Sequence, residues 1–172
     1  MSPNSRSVQS ARQLLNRYQL QVPVAVERLA QQLGIHLSYQ RLPEDVSGLL
    51  LRDRETTAIA VNSRHRPPRQ RFTIAHELAH FMLHKGIFLN STTQLNLRTM
   101  HPRDWKEEAE ANQFAAELLM PEQSVFDLTR SSIEANSNMS QVSLVSSLAR
   151  RFNVSDQAMT IRLSELGILT ST

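Results

Sequence analysis

Apolar residues recur at helical spacing from the start of the chain. Val8, Ala11, Leu15 and Tyr18 share one face between Ser7 and Leu20, which predicts an amphipathic helix with a partly disordered start. Pro23 opens a second short helix with Val26, Leu29, Ala30 and Leu33 inward, and Gly34 stands where a C-terminal cap belongs. The period then switches to two. Ile35, Leu37 and Tyr39 alternate with polar residues as in a strand, and Val46–Leu51 and Thr57–Val61 predict two more strands. The charged turn Arg52-Asp53-Arg54-Glu55 joins the last two, and Gly48 marks a bulge or a close approach of backbone.

A basic, proline-bearing segment from Ser63 to Arg71 leads into a long helix that reaches about Lys85 and stops at Gly86. Residues 86–101 read as a loop with a short strand at Thr93, Leu95 and Leu97. A second long helix runs from about Asp104 to Met120 and closes at Pro121. A short helix near Glu122–Arg130 precedes a linker, Ser131–Ser140. Two final helices, Gln141–Arg151 and Asp156–Leu166, have Ser155 as N-cap of the second and Gly167 as its C-cap. The fold class is therefore α+β: a small antiparallel sheet on a helical core, with a helix-turn-helix-like tail. The divisions expected are an N-terminal helix over residues 1–20, a central domain over 21–130 and a helical subdomain over 131–172.

The first long helix carries His76-Glu-Leu-Ala-His80. Histidines four apart lie on one helical face about 6 Å apart, so both rings can reach one ion. Glu77 lies too far round to be a ligand and can instead meet a water at the metal, as a general base does. The helix is apolar at nearly every angle except the strip Thr73, His76, Glu77, His80 and His84, and burying such groups without partners is unfavourable. A catalytic zinc needs a third protein ligand and one open position. His84 lies about 12 Å along the axis from His76, beyond reach on an unbroken helix, and the spacing of a third histidine at i+10 meets Gly86.

The third ligand is therefore sought on the second long helix, in Glu107-Glu108-Ala-Glu110-Ala-Asn112. At about 100° per residue, Glu110 shares a face with Lys106, Gln113 and Glu117, which reads as a solvated stripe. Glu108 shares its face with Trp105, Asn112, Ala115 and Leu119, a carboxylate within an apolar arc, and Glu107 falls between. A metal on the neighbouring helix would partner Glu108; a salt bridge to an arginine is the competing reading. Asn112, one turn on, is placed to hold the outer ring nitrogen of a ligand histidine.

Composition narrows the chemistry. The 172 residues fit one domain with a small appendage, and a hydrophobic content of 40% supports a conventional core. A net charge of +3 does not demand a nucleic-acid partner. With no cysteine, disulfides, thiol nucleophiles and thiolate zinc sites are excluded, and two histidines with a carboxylate leave a coordination position open. The polar start MSPNSRSVQSAR carries no apolar signal core, and no later run is long enough for a membrane span, so a cytoplasmic protein is expected. Zinc is the metal expected, with manganese the alternative. Donors to a developing oxyanion would come from His65, His84, His101 or the tyrosines Tyr18 and Tyr39.

The run Arg71-Phe-Thr-Ile-Ala-His-Glu-Leu-Ala-His80, followed by Glu108-Ala-Glu-Ala-Asn-Gln-Phe-Ala-Ala-Glu-Leu-Leu-Met-Pro121, resembles the ImmA/IrrE family of metallopeptidases. Ser47-Gly-Leu49, Ala58-Ile-Ala-Val-Asn62 and Phe152-Asn-Val-Ser-Asp-Gln-Ala-Met159 extend the resemblance over roughly residues 23–168. It implies a zincin-like core and a gluzincin-like site with His76, His80 and Glu108 as metal ligands and Glu77 as general base. It also implies an endopeptidase that cuts a helix-turn-helix repressor and so relieves repression. Some members of the family carry a DNA-binding domain in front or a sensor domain behind; this chain is expected to have neither.

Leu148-Ala-Arg-Arg-Phe-Asn-Val-Ser-Asp-Gln-Ala-Met159 has the helix-turn-helix look, with Ala149 in the tight contact. The positions expected to be exposed on its second helix, Asp156, Gln157, Thr160, Arg162 and Glu165, carry two acids against one base. Phosphates call for the opposite balance, so packing or partner docking is expected there and DNA binding is not. Arg64, Arg66, Arg69 and Arg71 form the densest basic cluster; either it is a solvated lead-in to the helix or it docks an acidic segment of the substrate. The function class that competes with a peptidase is a non-catalytic regulator that binds a repressor or DNA through the tail.

Overall fold

The computed structural model of the chain describes residues 5–53, 55–84 and 102–169. Its elements run α1 (Arg6–Arg17), α2 (Val26–Gln32), β1 (His36–Gln40), β2 (Gly48–Arg52), β3 (Thr57–Asn62), α3 (Pro67–Leu83), α4 (Pro102–Leu119), α5 (Glu122–Ala135), α6 (Gln141–Phe152) and α7 (Asp156–Glu165). The expected strand at 93–97 lies outside the described residues.

Helix boundaries follow the caps more closely than the apolar spacing. Ser5 accepts from the Val8 amide and starts α1 at Arg6, ahead of the apolar pattern, with Ser7, Val8, Ala11 and Leu14 buried. Pro23 does not open α2, which begins three residues later at Val26. The basic lead-in is shorter than expected, because Pro67 and Pro68 occupy the first helical turn of α3 and take Arg69 and Arg71 into the helix. The helix ends at Leu83 rather than Lys85. Half of the expected linker is helical: α5 runs on to Ala135, with the hydroxyls of Ser131 and Ser132 bonding to carbonyls one turn back. Ser155 caps α7 as expected, and Gly167 follows that helix with φ +69°.

The sheet is mixed, not wholly antiparallel. Its order is β1-β3-β2, with β3 parallel to β1 and antiparallel to β2. The β2–β3 turn is tight because the Asp53 carboxylate accepts from the amides of Glu55 and Thr56 at 2.8 and 2.7 Å. The connection from β1 instead passes the end of β3 to its far edge. Fully buried Asn62, at the end of β3, secures that crossing by donating from Nδ2 to the carbonyls of Pro43 and Val46 at 2.9 and 2.7 Å.

The buried apolar core is shared by the sheet and the helices, from Ala11 and Leu14 of α1 through Ile59, Leu78 and Phe114 to Phe152, Met159 and Leu163 of the tail. Two buried arginines tie the tail to the rest. Arg71 of α3 donates to the carbonyls of Asn153 and Val24 at 3.1 and 2.7 Å. Arg162 of α7, expected in solvent, is buried, bonding to the Met120 carbonyl at 3.1 Å and to the Glu117 carboxylate. Among the described residues no helix is long and apolar enough to cross a membrane.

Gly48 is where sheet and helix meet most tightly. A Cβ there would stand 2.4 Å from Cγ2 of Thr73 and 3.1 Å from the Ala60 carbonyl oxygen. Gly48→Ala should therefore destabilise the fold by about 1–3 kcal/mol through overpacking, read from urea or thermal unfolding. Thr73→Ser removes the opposing methyl and keeps the hydroxyl that donates to the Arg69 carbonyl, so the double variant should recover most of the loss.

Candidate metal centre

α3 makes its most extensive contact with α4 and also meets the sheet, α1 and α2, which explains why it is buried on nearly every side. Ala79, three residues beyond His76, and Ala111 and Ala115, three and seven beyond Glu108, are fully buried. Small side chains on these faces let the two backbones approach and carry the polar groups between them to one point.

There the Nε2 atoms of His76 and His80 stand 3.0 Å apart. Glu108 faces both, with Oε2 3.2 Å from His76 Nε2 and Oε1 3.2 Å from His80 Nε2. These three residues form a group whose ligating atoms all lie within 4.8 Å of one another. The outer nitrogens are also engaged: His76 Nδ1 is 3.0 Å from Asn112 Oδ1, and His80 Nδ1 is 2.9 Å from His84 Nδ1. With the Asn112 oxygen accepting, the neutral His76 ring carries its proton outward and turns a bare Nε2 inward. Lone pairs and a carboxylate thus face one another, an arrangement that a cation would relieve. Donors of one tetrahedral zinc stand about 3.3 Å apart, given bond lengths of about 2.0–2.1 Å, so the donor set fits such an ion.

The charges follow the same logic. Burial opposes ionisation of Glu108, yet hydrogen bonds and attraction to His76 and His80 outweigh it and hold this carboxyl well below its usual range. Burial likewise opposes charge on His76, but the hydrogen bond to Glu108 and the negative charges of Glu77 and Glu108 raise its pKa. For His80, burial, reinforced by repulsion from His76 and His84, lowers the pKa despite the bond to Glu108. Glu77 is fully buried, and its Oε1 lies 3.7 Å from the Cβ position at Gly48.

Several expected positions are corrected. Glu108 is not deep in an apolar arc: its side chain is 32% exposed, Trp105 and Asn112 are exposed, and the centre therefore sits at the rim of the core. The Glu110 face is not a solvated stripe throughout: Lys106 is exposed, but toward the C-terminal end α1 and the Arg162 side chain of α7 meet it. Glu117 is buried between Arg162 and Arg12, whose Nε lies 2.8 Å away, and Gln113 accepts from Ser7 at 2.9 Å. Glu110 itself is half-buried, 3.2 Å from His84 Nε2. With both its nitrogens engaged, His84 is not placed as an oxyanion donor. Tyr39 lies on β1, the sheet edge opposite β2, and His101 lies outside the described residues. Of the basic cluster, Arg64, Arg66 and Arg69 are exposed, and Arg69 donates to Ser47 at 2.9 Å beside Gly48.

Comparison with known proteins gives three findings. Residues 30–164, well over half of the chain, match Peptidase_M78, the IrrE N-terminal-like domain. The "Uncharacterized immunity region protein 2" of Bacillus phage phi105 is 30% identical over 113 residues, 66% of this chain and 67% of that protein. A Mycobacterium tuberculosis transcriptional regulator superposes with a TM-score of 0.59 at 17% identity, a likeness of fold. It covers 92% of this chain but 46% of that protein, so the chain spans about half of that regulator's length.

The unequal histidines make a pH prediction. Of the two, only His76 has its pKa raised, so a divalent cation should displace about one proton on binding below that raised pKa and none above it. Apparent zinc affinity should be flat above the raised His76 pKa and fall about tenfold per pH unit below it. The slope should steepen only once His80, with its depressed pKa, begins to protonate. Competition with a chromophoric chelator across pH measures this; a slope near two from the outset would contradict it.

Proposed function

The chain belongs to the Peptidase_M78 family of IrrE N-terminal-like domains, and from that membership we propose that it is a zinc-dependent endopeptidase. His76, His80 and Glu108 hold the metal, with manganese the alternative occupant. The observation that carries this reading is the convergence of two histidine Nε2 atoms and both oxygens of Glu108 within hydrogen-bond distance of one another. A cation bound there supplies Lewis acidity, which lowers the pKa of water and polarises a substrate carbonyl.

The remaining work falls to the protein. Glu77 takes the proton of the attacking water and delivers it to the departing amine. Asn112 fixes the ring of His76 from behind. The partial exposure of Glu108 leaves an approach for a peptide from the rim. The substrate is a protein, and the family resemblance, with a relative named for a phage immunity region, favours a helix-turn-helix repressor acting in the cytoplasm. Arg64 and Arg66 are exposed beside Arg69, which suits docking of an acidic stretch of that substrate. DNA is a poorer partner. On α7 the exposed residues are Asp156, Gln157, Thr160, Ile161, Ser164 and Glu165, and Arg162 is turned into the core.

Glu77→Gln tests the reading. The amide keeps the shape but cannot accept the proton, so zinc affinity and fold should persist while the cleavage rate falls about 10²–10⁴-fold. Co-expression with a candidate helix-turn-helix repressor should give discrete, chelator-sensitive fragments with the wild type. With Glu77→Gln the repressor should stay intact but bound. A folded, zinc-loaded Glu77→Gln protein that relieves repression as well as the wild type while the repressor stays uncut would end the peptidase reading in favour of a regulator acting by binding.

A further inference from the structure

His84 and Glu110 were not needed for the chemistry above, yet they form a chain of contacts ending on a proposed ligand. Glu110 Oε2 lies 3.2 Å from His84 Nε2, and His84 Nδ1 lies 2.9 Å from His80 Nδ1. His84 and His80 are buried, Glu110 is half-buried, and Lys106 Nζ lies 3.8 Å from the second Glu110 oxygen. The rings of His80 and His84 are 5.0 Å apart at 53°, which suits an edge-on hydrogen bond between them and not a stack.

The direction of the protons follows from the terminus. A carboxylate can only accept, so His84 must present N–H from Nε2. A neutral His84 then has a bare Nδ1, which at 2.9 Å can only accept, so His80 must carry its proton on Nδ1. That leaves His80 Nε2 bare, facing Glu108 and His76. The opposite tautomers would set a bare His84 nitrogen against the Glu110 carboxylate, two acceptors face to face inside the protein. We infer that Glu110 and His84 are positioning residues, a relay that fixes the proton of His80 on Nδ1 and so holds its Nε2 ready for a metal ion. The inference rests on the metal-binding reading of His80. Asn112 performs the same service for His76 in a single step.

The test uses the full chain, with zinc and cobalt alone as probes. Glu110→Ala and His84→Leu should each weaken metal affinity about 10–100-fold. His84→Asn should restore most of it, because an asparagine Oδ1 occupies nearly the place of a histidine Nδ1 and accepts the same proton. The melting temperature of metal-free Glu110→Ala should stay close to that of the wild type. Long-range proton–nitrogen spectra of the metal-free protein, with labelled histidine, should show His80 protonated at Nδ1 in the wild type and mixed between tautomers in Glu110→Ala. Unchanged metal affinity in Glu110→Ala, or a wild-type His80 protonated at Nε2, would overturn the relay. So would lost affinity that tracks lost stability and is not rescued by His84→Asn, since that marks a structural role. A wild type that binds no metal would defeat the metal reading instead, while the tautomer spectra still decide the relay.

Discussion

Polar groups brought into an apolar interior must find partners there, and between α3 and α4 this requirement is concentrated at one point. His76 and His80 are both buried in a helix that the sheet and three other helices surround. Without facing groups at the right height they would oppose folding by several kcal/mol. α4 supplies those groups from one stretch: Glu108 to the inner nitrogens, Asn112 to the outer nitrogen of His76, and Glu110 through His84 to the outer nitrogen of His80. The register of α4 along α3 is therefore set by hydrogen bonds as much as by the alanines that let the backbones close. A slip of one residue would leave donors and acceptors unmatched along the whole contact.

The same requirement recurs wherever the chain must be tied across a distance in sequence. Arg71 reaches two backbone carbonyls, one before α2 and one between α6 and α7. Glu117 draws Arg12 from α1 and Arg162 from α7 onto α4, and Asn62 secures the crossing that makes the sheet mixed. Buried ion pairs of this kind add little net stability compared with apolar substitutes, but removing one partner alone leaves a stranded charge. Their effect is to make α1, α4 and α7 meet in one arrangement. The tail is consequently held against the helix that carries Glu108, and the one basic side chain of α7, Arg162, is spent inside the protein.

Much of this was legible in the sequence because local rules decide it. The ladder of histidines at four-residue spacing, the capping serine at 155 and the apolar faces of the long helices all report on neighbours within a turn or two. Glu108 could be singled out by phase, although for an incomplete reason. Its face is apolar only toward the C-terminal half of α4, and at Glu108 itself the helix emerges at the rim. What local rules missed are the features that a distant segment determines. The parallel pairing of β1 depends on a crossing held by Asn62. The burial of Glu117 and Arg162 depends on α1 and α7 arriving on a face that, read alone, is a polar stripe. The role of Glu110 depends on His84, which in turn lies one step beyond the ligands on the very ladder that revealed them.

That ladder makes the two inner histidines look equivalent, and their surroundings make them different. His76 has a neutral amide behind it and negative charge beside it, so it gains affinity for a proton. His80 is buried and lies between two other histidines, so it loses that affinity. Two equally basic rings at 3.0 Å could each compete for the proton, and their inner nitrogens would have no settled division of roles. Unequal surroundings resolve the competition: a proton that enters the cluster is held more readily by His76 than by His80. Under the proposed relay, His80 keeps a bare nitrogen pointed at the same place whatever the state of its neighbour. For the proposed metal site, such an arrangement would mean that residues beyond the three ligands prepare it before a cation arrives.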